Sequence, residues 1–401
     1  MSTTGEPRAH AVDEVLPVDA TDAVLVGRVW DPVTGGPRPV AVRGEEVHDL
    51  FPLTPTVADL LERGDGAAAA VRAVSGAPAW RLGDLLAARE GDDSVPRLLS
   101  PIDLQVVKAC GVTFADSMVE RVIEERCAGD PARAAEVRSA VTDSLGDAVG
   151  AIEPGSEEAR RVKEVLTAQG LWSQYLEVGL GPYPEVFTKA PVLSSVGHGA
   201  RVGIPEFSTW NNPEPELVLV VDSSGAPRGA TLGNDVNLRD IEGRSALLLG
   251  MAKDNNASAA VGPFIRLFDD VFALDDAHDE RIALHVEGTD GYVLDGENHV
   301  SRLSRSFERL LAAAAGTHHQ YPDGFVLFTG TLFAPTLDRD VPGFGFTHKP
   351  GDRVSISSPH LGTLSNEVGA TEELPEWRFG IRALLTYLAG HAPAPTEKGN
   401  H

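Results

Sequence analysis

The longest unbroken apolar stretch with β-branched character is Leu217-Val218-Leu219-Val220-Val221, which predicts a buried strand. Ser223-Ser224-Gly225 reads as a turn and Gly229 to Asp235 as the returning strand, with the hairpin centred near Gly225 and Ala226. Earlier in the chain, short apolar runs (Ala23 to Val26, Pro39 to Val42) alternate with helical patterns around Val57 to Arg63 and Gly83 to Arg89. Val106 to Phe114 predicts a strand. Glu120 to Arg126, Arg133 to Leu145 and Arg160 to Leu171 have helical apolar spacing. From Phe187 to Val368 the pattern is strand, turn, strand, with one helix over Ser301 to Ala315, Ser301 capping its start and Gly316 following its end.

These patterns predict an α+β chain, mostly β, whose larger part is a roll or barrel. The expected organisation is a disordered leader over 1–20, a small N-terminal α/β domain over 21–100, a main domain over 101–385 and a flexible tail over 386–401. A length of 401 residues suits two domains. No apolar run approaches membrane-spanning length, and Met1 to Ala20 lacks the basic start and apolar stretch of a secretory signal. Only Cys110 and Cys127 are present, which supports neither a disulfide framework nor a zinc ribbon. A cytoplasmic location is the expectation. The net charge of −25, from 59 acidic against 34 basic residues, argues against nucleic acid as a partner.

Three acidic residues change the picture. Glu214 and Glu216 are two apart, so an extended backbone points both to one face, and the hairpin returns Asp235 opposite Glu216. Convergent carboxylates repel one another and resist burial unless a cation compensates them. Two readings stand at this point: a solvated acidic hairpin end, or a seat for a hard divalent ion. No dinucleotide-binding or phosphate-loop glycine pattern is present, and no Gly-x-Ser-x-Gly elbow.

Longer motifs carry a resemblance. Pro213-Glu214-Pro215-Glu216-Leu217 followed by Gly233-Asn234-Asp235-Val236-Asn237-Leu238-Arg239-Asp240 resembles the metal-binding core of the fumarylacetoacetate hydrolase superfamily. Phe187 to Pro191, Val196 to Gly199, Ala252-Lys253-Asp254, Gly262-Pro263, Thr329-Gly330-Thr331, Gly351 to Val354 and Leu361 to Val368 match further segments in the same chain order. The resemblance covers about 105–370 and lies nearest the 2-keto-3-deoxy-D-arabinonate dehydratase branch. It implies a fumarylacetoacetate hydrolase-like β-roll or barrel as the catalytic domain, and a homodimer or higher homo-oligomer.

The resemblance also implies a metal site at Glu214, Glu216 and Asp235, holding Mg²⁺, with Mn²⁺ or Ca²⁺ as alternatives. It implies a 2-keto acid substrate contacted by Lys189, Gly330 and Thr331, with Glu120, Lys253 and Ser117 as catalytic candidates. Many hydrolases and decarboxylases of the superfamily have histidine where this chain has Ser117, while Glu120 keeps an acidic position. Without imidazole, activating water against a carbonyl loses its usual base. The expectation is therefore a Mg²⁺-dependent dehydratase that converts a 2-keto-3-deoxy sugar acid to 2-oxoglutarate semialdehyde through a metal-stabilised enolate and β-elimination. The alternative is a metal-dependent hydrolase cleaving a carbon–carbon bond in an acylpyruvate or diketo acid.

Overall fold

The structure, a computed structural model, describes residues 11–133, 152–331, 337–342 and 344–391. Two sheets organise it. In the larger one, Leu25–Asp31, Ala259–Leu267, Pro227–Asp235, Pro215–Val221, Phe325–Phe328, Val106–Gly111 and Glu185–Ala190 lie side by side in that order. All these neighbours are antiparallel except Phe325–Phe328 with Val106–Gly111. The smaller sheet runs Val293–His299, Arg281–Glu287, Arg353–Ser358, Gly362–Ala370, Arg201–Ile204.

Burial on both faces explains the continuous apolar run. Leu217, Leu219 and Val221 pack with Leu284, Val286, Ile356 and Leu364 of the smaller sheet. Val218 and Val220 face the other way, toward Val26, Val57, Leu60 and Leu61. A strand covered on both faces needs no polar alternation. A separate cluster (Met118, Val122, Ile123, Leu166, Tyr175, Leu176, Leu180, Trp210) joins the helix Ala115–Cys127 to the helices Glu157–Ala168 and Gln174–Leu180.

Several expectations are revised. The expected α+β class holds, but strand and helix contribute about equally, and among the described residues the sheets stay open rather than closing a barrel. The strands expected to form a small N-terminal domain extend the large sheet, because Leu25 and Val26 pair with Arg266 and Ile265. Part of the expected leader is ordered. Val12–Val15 is a helical turn, Val15 is buried, and Arg266 grips Asp19 through two contacts of 2.7 Å. Residues 386–391 of the expected tail complete the helix Ile381–His391, where Tyr387 is buried against Phe51. The expected helix 301–315 is shorter, Phe307–Ala314, capped by Ser306 rather than Ser301, which lies in the single turn Val300–Arg302. Most of the helix expected over Arg133 to Leu145 lies outside the described residues, as do 1–10 and 392–401. Among the described residues, no helix is long and apolar enough to cross a membrane.

Candidate active site

The hairpin register places the acid trio. Asp222 closes the turn with its own carboxylate, Oδ1 accepting the N–H groups of Ser224 (2.9 Å) and Ala226 (3.1 Å). This Asx turn centres on Ser224, earlier than the spacing suggested, and sets Glu216 opposite Gly233. Asp235 therefore returns beside Glu214, not Glu216, and its N–H donates to the Glu214 carbonyl at 3.0 Å. The three carboxylates still converge: one oxygen from each lies within 4.8 Å of the others, and all three side chains are buried.

Two lysines and one arginine answer this charge. Lys253 Nζ contacts Glu214 Oε2 and lies 3.1 Å from Asp235 Oδ2. Arg121 Nη2 contacts Glu214 Oε1. Lys189 is fully buried, 2.8 Å from Asp235 Oδ1, and donates to the carbonyls of Val236 (2.8 Å) and Lys253. Glu216 accepts the backbone N–H of Gly330, at 2.6 Å. The pKa directions follow this distribution. Burial, with Asp235 and Glu214 nearby, pushes Glu216 well above the usual carboxylate range. Burial also raises Glu214 despite Lys253 and Arg121. For Asp235 burial again works against ionisation, but Lys189 and Lys253 outweigh it and hold the pKa low.

A hard divalent ion fits this donor set. Three carboxylates supply oxygen ligands only, as Mg²⁺, Mn²⁺ or Ca²⁺ require. Asp235 Oδ1 has Lys189 at 2.8 Å as its cationic neighbour, and a carboxylate oxygen with one such contact keeps a lone pair for a metal.

The trio opens into a cavity of about 20 Å³ lined by Cys110, Val112, Ser117, Arg121, Glu185, Phe187, Glu242, Lys253 and Thr331. That is room for a water, so a keto acid must displace side chains to enter. Of the residues expected from sequence, Ser117, Lys253 and Thr331 line this cavity together with the trio. Gly330 reaches it through its N–H on Glu216. Its φ is +97°, and a Cβ there would lie 1.9 Å from Thr113 Oγ1, so the loop closes only around glycine. Lys189 does not line the cavity and spends its donors on Asp235 and two carbonyls, which makes it an internal counter-ion in this geometry. Glu120 is buried 3.5 Å from Arg239 Nη2 and is also absent from the lining. Ser117 donates to the Phe114 carbonyl at 2.8 Å and accepts the Phe114 N–H at 3.3 Å, bracing the first turn of its helix.

Sequence reasoning missed Glu185 and Arg121. Glu185 enters the cavity over Gly111, and burial, with Glu242 nearby, pushes its pKa up to about 7. Glu185 and Phe187 are two apart on one strand and both line the cavity, whereas a register irregularity at Lys189 breaks the alternation there. Among the described residues, no histidine lines the cavity; His198, for one, is held by the Thr363 carbonyl at 2.9 Å.

Residues 163–369, more than half of the chain, match the fumarylacetoacetate hydrolase C-terminal family, and the chain belongs to it. It is similar to a probable 2-keto-3-deoxyxylonate dehydratase of Haloferax volcanii, at 32% identity over 213 residues, 53% of this chain and 68% of that one. It also resembles the 2-dehydro-3-deoxy-D-arabinonate dehydratase of Saccharolobus solfataricus, at 31% identity over 188 residues, 46% of this chain and 58% of that one. A solved 2-keto-3-deoxy-D-arabinonate dehydratase, complexed with magnesium and 2,5-dioxopentanoate, shares the fold with a TM-score of 0.60. It covers 86% of this chain and 99% of its own at 23% identity.

Proposed function

We propose that this protein is a divalent-metal-dependent hydro-lyase that removes water from a 2-keto-3-deoxy sugar acid. The observation that carries the reading is the meeting of three buried carboxylates with Lys253 and a carboxyl titrating near neutrality, in a cavity without imidazole. The relatives named as dehydratases of such acids support the same class. Glu214, Glu216 and Asp235 would hold the ion, Mg²⁺ in the first instance. When bound, it supplies Lewis acidity to the carboxylate and carbonyl oxygens of a 2-keto acid.

The protein's own groups supply the proton chemistry. Glu185, with a pKa of about 7, is present in both forms near neutral pH. Ionised, it takes a C3 proton; the C–H electron pair becomes part of a new C3–C4 double bond as the C4 hydroxyl departs. The protonated carboxyl gives that proton to the departing oxygen, so water leaves and Glu185 returns to its starting form. In the pentonate, loss of a C5 proton and gain of one at C3 then move the double bond to C4–C5. The C5 enol gives up its hydroxyl proton as C4 gains one, leaving the aldehyde of 2-oxoglutarate semialdehyde. Lys253, kept charged by Asp235 and Glu214 against burial, places positive charge beside the oxygens that gain electron density. Thr331 lines the same space and offers a hydroxyl to the substrate. Glu120 is the rival for the proton-transfer role, and its partner Arg239 makes it the less mobile of the two carboxyls.

The test is a panel of 2-keto-3-deoxy pentonates and hexonates incubated with the purified protein, with and without chelator. Formation of 2-oxoglutarate semialdehyde from the arabinonate compound, abolished by chelator and restored by Mg²⁺, is the expected result. Release of pyruvate or acetoacetate from an acylpyruvate, with no dehydration of any sugar acid, would overturn it in favour of carbon–carbon hydrolysis.

A further inference from the structure

Glu214 is the most contested member of the trio. Arg121 Nη2 holds one of its oxygens and Lys253 Nζ the other. An ion ligated by Glu214 draws on one of these oxygens and repels both cations. The two cations have different alternatives. Both carboxylate partners of Lys253, Glu214 and Asp235, belong to the trio itself. Arg121 has two partners outside it: Nη1 lies 2.6 Å from Glu124 Oε2 and 2.6 Å from Glu242 Oε2. Glu124 is shared in turn with Arg239, at 2.6 Å, whose guanidinium lies 4.1 Å over the ring of Trp210.

The guanidinium of Arg121 therefore has one arm fixed in a buried frame and one arm spent on a metal ligand. The fixed arm keeps the group in place when the other is displaced. A planar fork suits this division, since its two nitrogens serve separate partners. Arg121 also lines the cavity one helical turn after Ser117, so a displaced Nη2 faces the space a substrate must enter. Of the two cations in that lining, Arg121 is the one anchored outside the trio, so its Nη2 can leave Glu214 while the group keeps its place.

We propose that Arg121 couples metal to substrate: an ion seated at Glu214 displaces the Nη2 arm, which then binds the carboxylate of the 2-keto acid. This rests on the hydro-lyase reading of the site and adds to it the residue that recognises the acid. Ion and acid then favour one another, and by linkage each raises the other's affinity by the same factor.

Calorimetric titrations with Mn²⁺ and with pyruvate, a minimal 2-keto acid, test this without turnover. In the unaltered protein, saturating Mn²⁺ should tighten pyruvate binding by about tenfold or more. Arg121→Lys keeps a positive charge against Glu124 and Glu242 but lacks the second arm. It should bind Mn²⁺ several-fold more tightly, because a competitor for Glu214 is gone, and bind pyruvate about tenfold more weakly at saturating Mn²⁺. These opposite shifts separate the clamp from structural damage, which weakens both. A charge-balanced Arg121→Gln, Glu242→Gln pair should behave in the same way and serves if the lysine variant does not fold. Unchanged pyruvate affinity in either variant, or unchanged or weaker Mn²⁺ binding, would overturn the clamp alone. Failure of the unaltered protein to bind pyruvate with Mn²⁺ would remove the keto-acid reading with it.

Discussion

The carboxyl of Glu185 occupies the space that a side chain at Gly111 would need: a Cβ there would lie 2.0 Å from Glu185 Oε2 and 2.8 Å from its Cδ. The strand Val106–Gly111 pairs with Glu185–Ala190 so that Gly111 lies directly opposite Glu185. Replacing Gly111 by alanine must push that carboxyl out of position. We expect Gly111→Ala to lower kcat about tenfold or more while leaving Mn²⁺ affinity, read by calorimetry, near that of the unaltered protein.

Glu185 and Glu120 can be separated directly. If Glu185 moves the proton, Glu185→Gln lowers kcat by about a hundredfold or more, whereas Glu120→Gln lowers it by less than about tenfold. Steady-state kinetics on the two variants decide between them, and the reverse ranking would return the role to Glu120.

The pH profile provides a second check on Glu185. Because the ionised form takes the proton, kcat/KM should rise with pH and level off above about 7, and Glu185→Gln should lose this rise. Stability should move the opposite way. A carboxyl whose pKa is higher folded than unfolded binds more protons in the native state between the two values. Its contribution therefore falls as pH rises from about 4.5 to about 7. Urea unfolding from pH 5 to pH 8 should show the unaltered protein losing stability relative to Glu185→Gln across this window.

Members of the trio should differ in their effect on folding while agreeing in their effect on metal. Glu214→Gln, Glu216→Gln and Asp235→Asn should each weaken Mn²⁺ or Mg²⁺ binding. In chelator, Glu216→Gln should cost little, because glutamine resembles the protonated carboxyl that burial favours at this position. Asp235→Asn removes the ion-pair partner of both Lys189 and Lys253 and should cost on the order of 3 kcal/mol in denaturant unfolding. Equal costs for the two substitutions would contradict this electrostatic picture.

The parts of the site that were legible in the sequence are those that lie close together along the chain. Glu214, Glu216 and Asp235 belong to one hairpin, so strand parity alone brought them near each other, and only the Asp222 turn shifted Asp235 onto Glu214. The two-sheet core was legible through the run from Leu217 to Val221. The frame around Arg121 was not, because its contacts join a helix to residues 93 and 121 positions away, and no periodicity encodes such a meeting. Glu120 attracted attention through its place in a motif, yet it turns to Arg239, a partner 119 residues distant.

The packing around the helix Ala115–Cys127 has a further consequence. The ion seat is built into a sheet buried on both sides, whereas the wall carrying Ser117 and Arg121 rests on its own small cluster of helices. Substitutions on that wall that spare Arg121, which grips Glu214, can reshape the space over the site without touching the three carboxylates. In such an arrangement new chemistries arise by remodelling the roof while the foundation stays as it is.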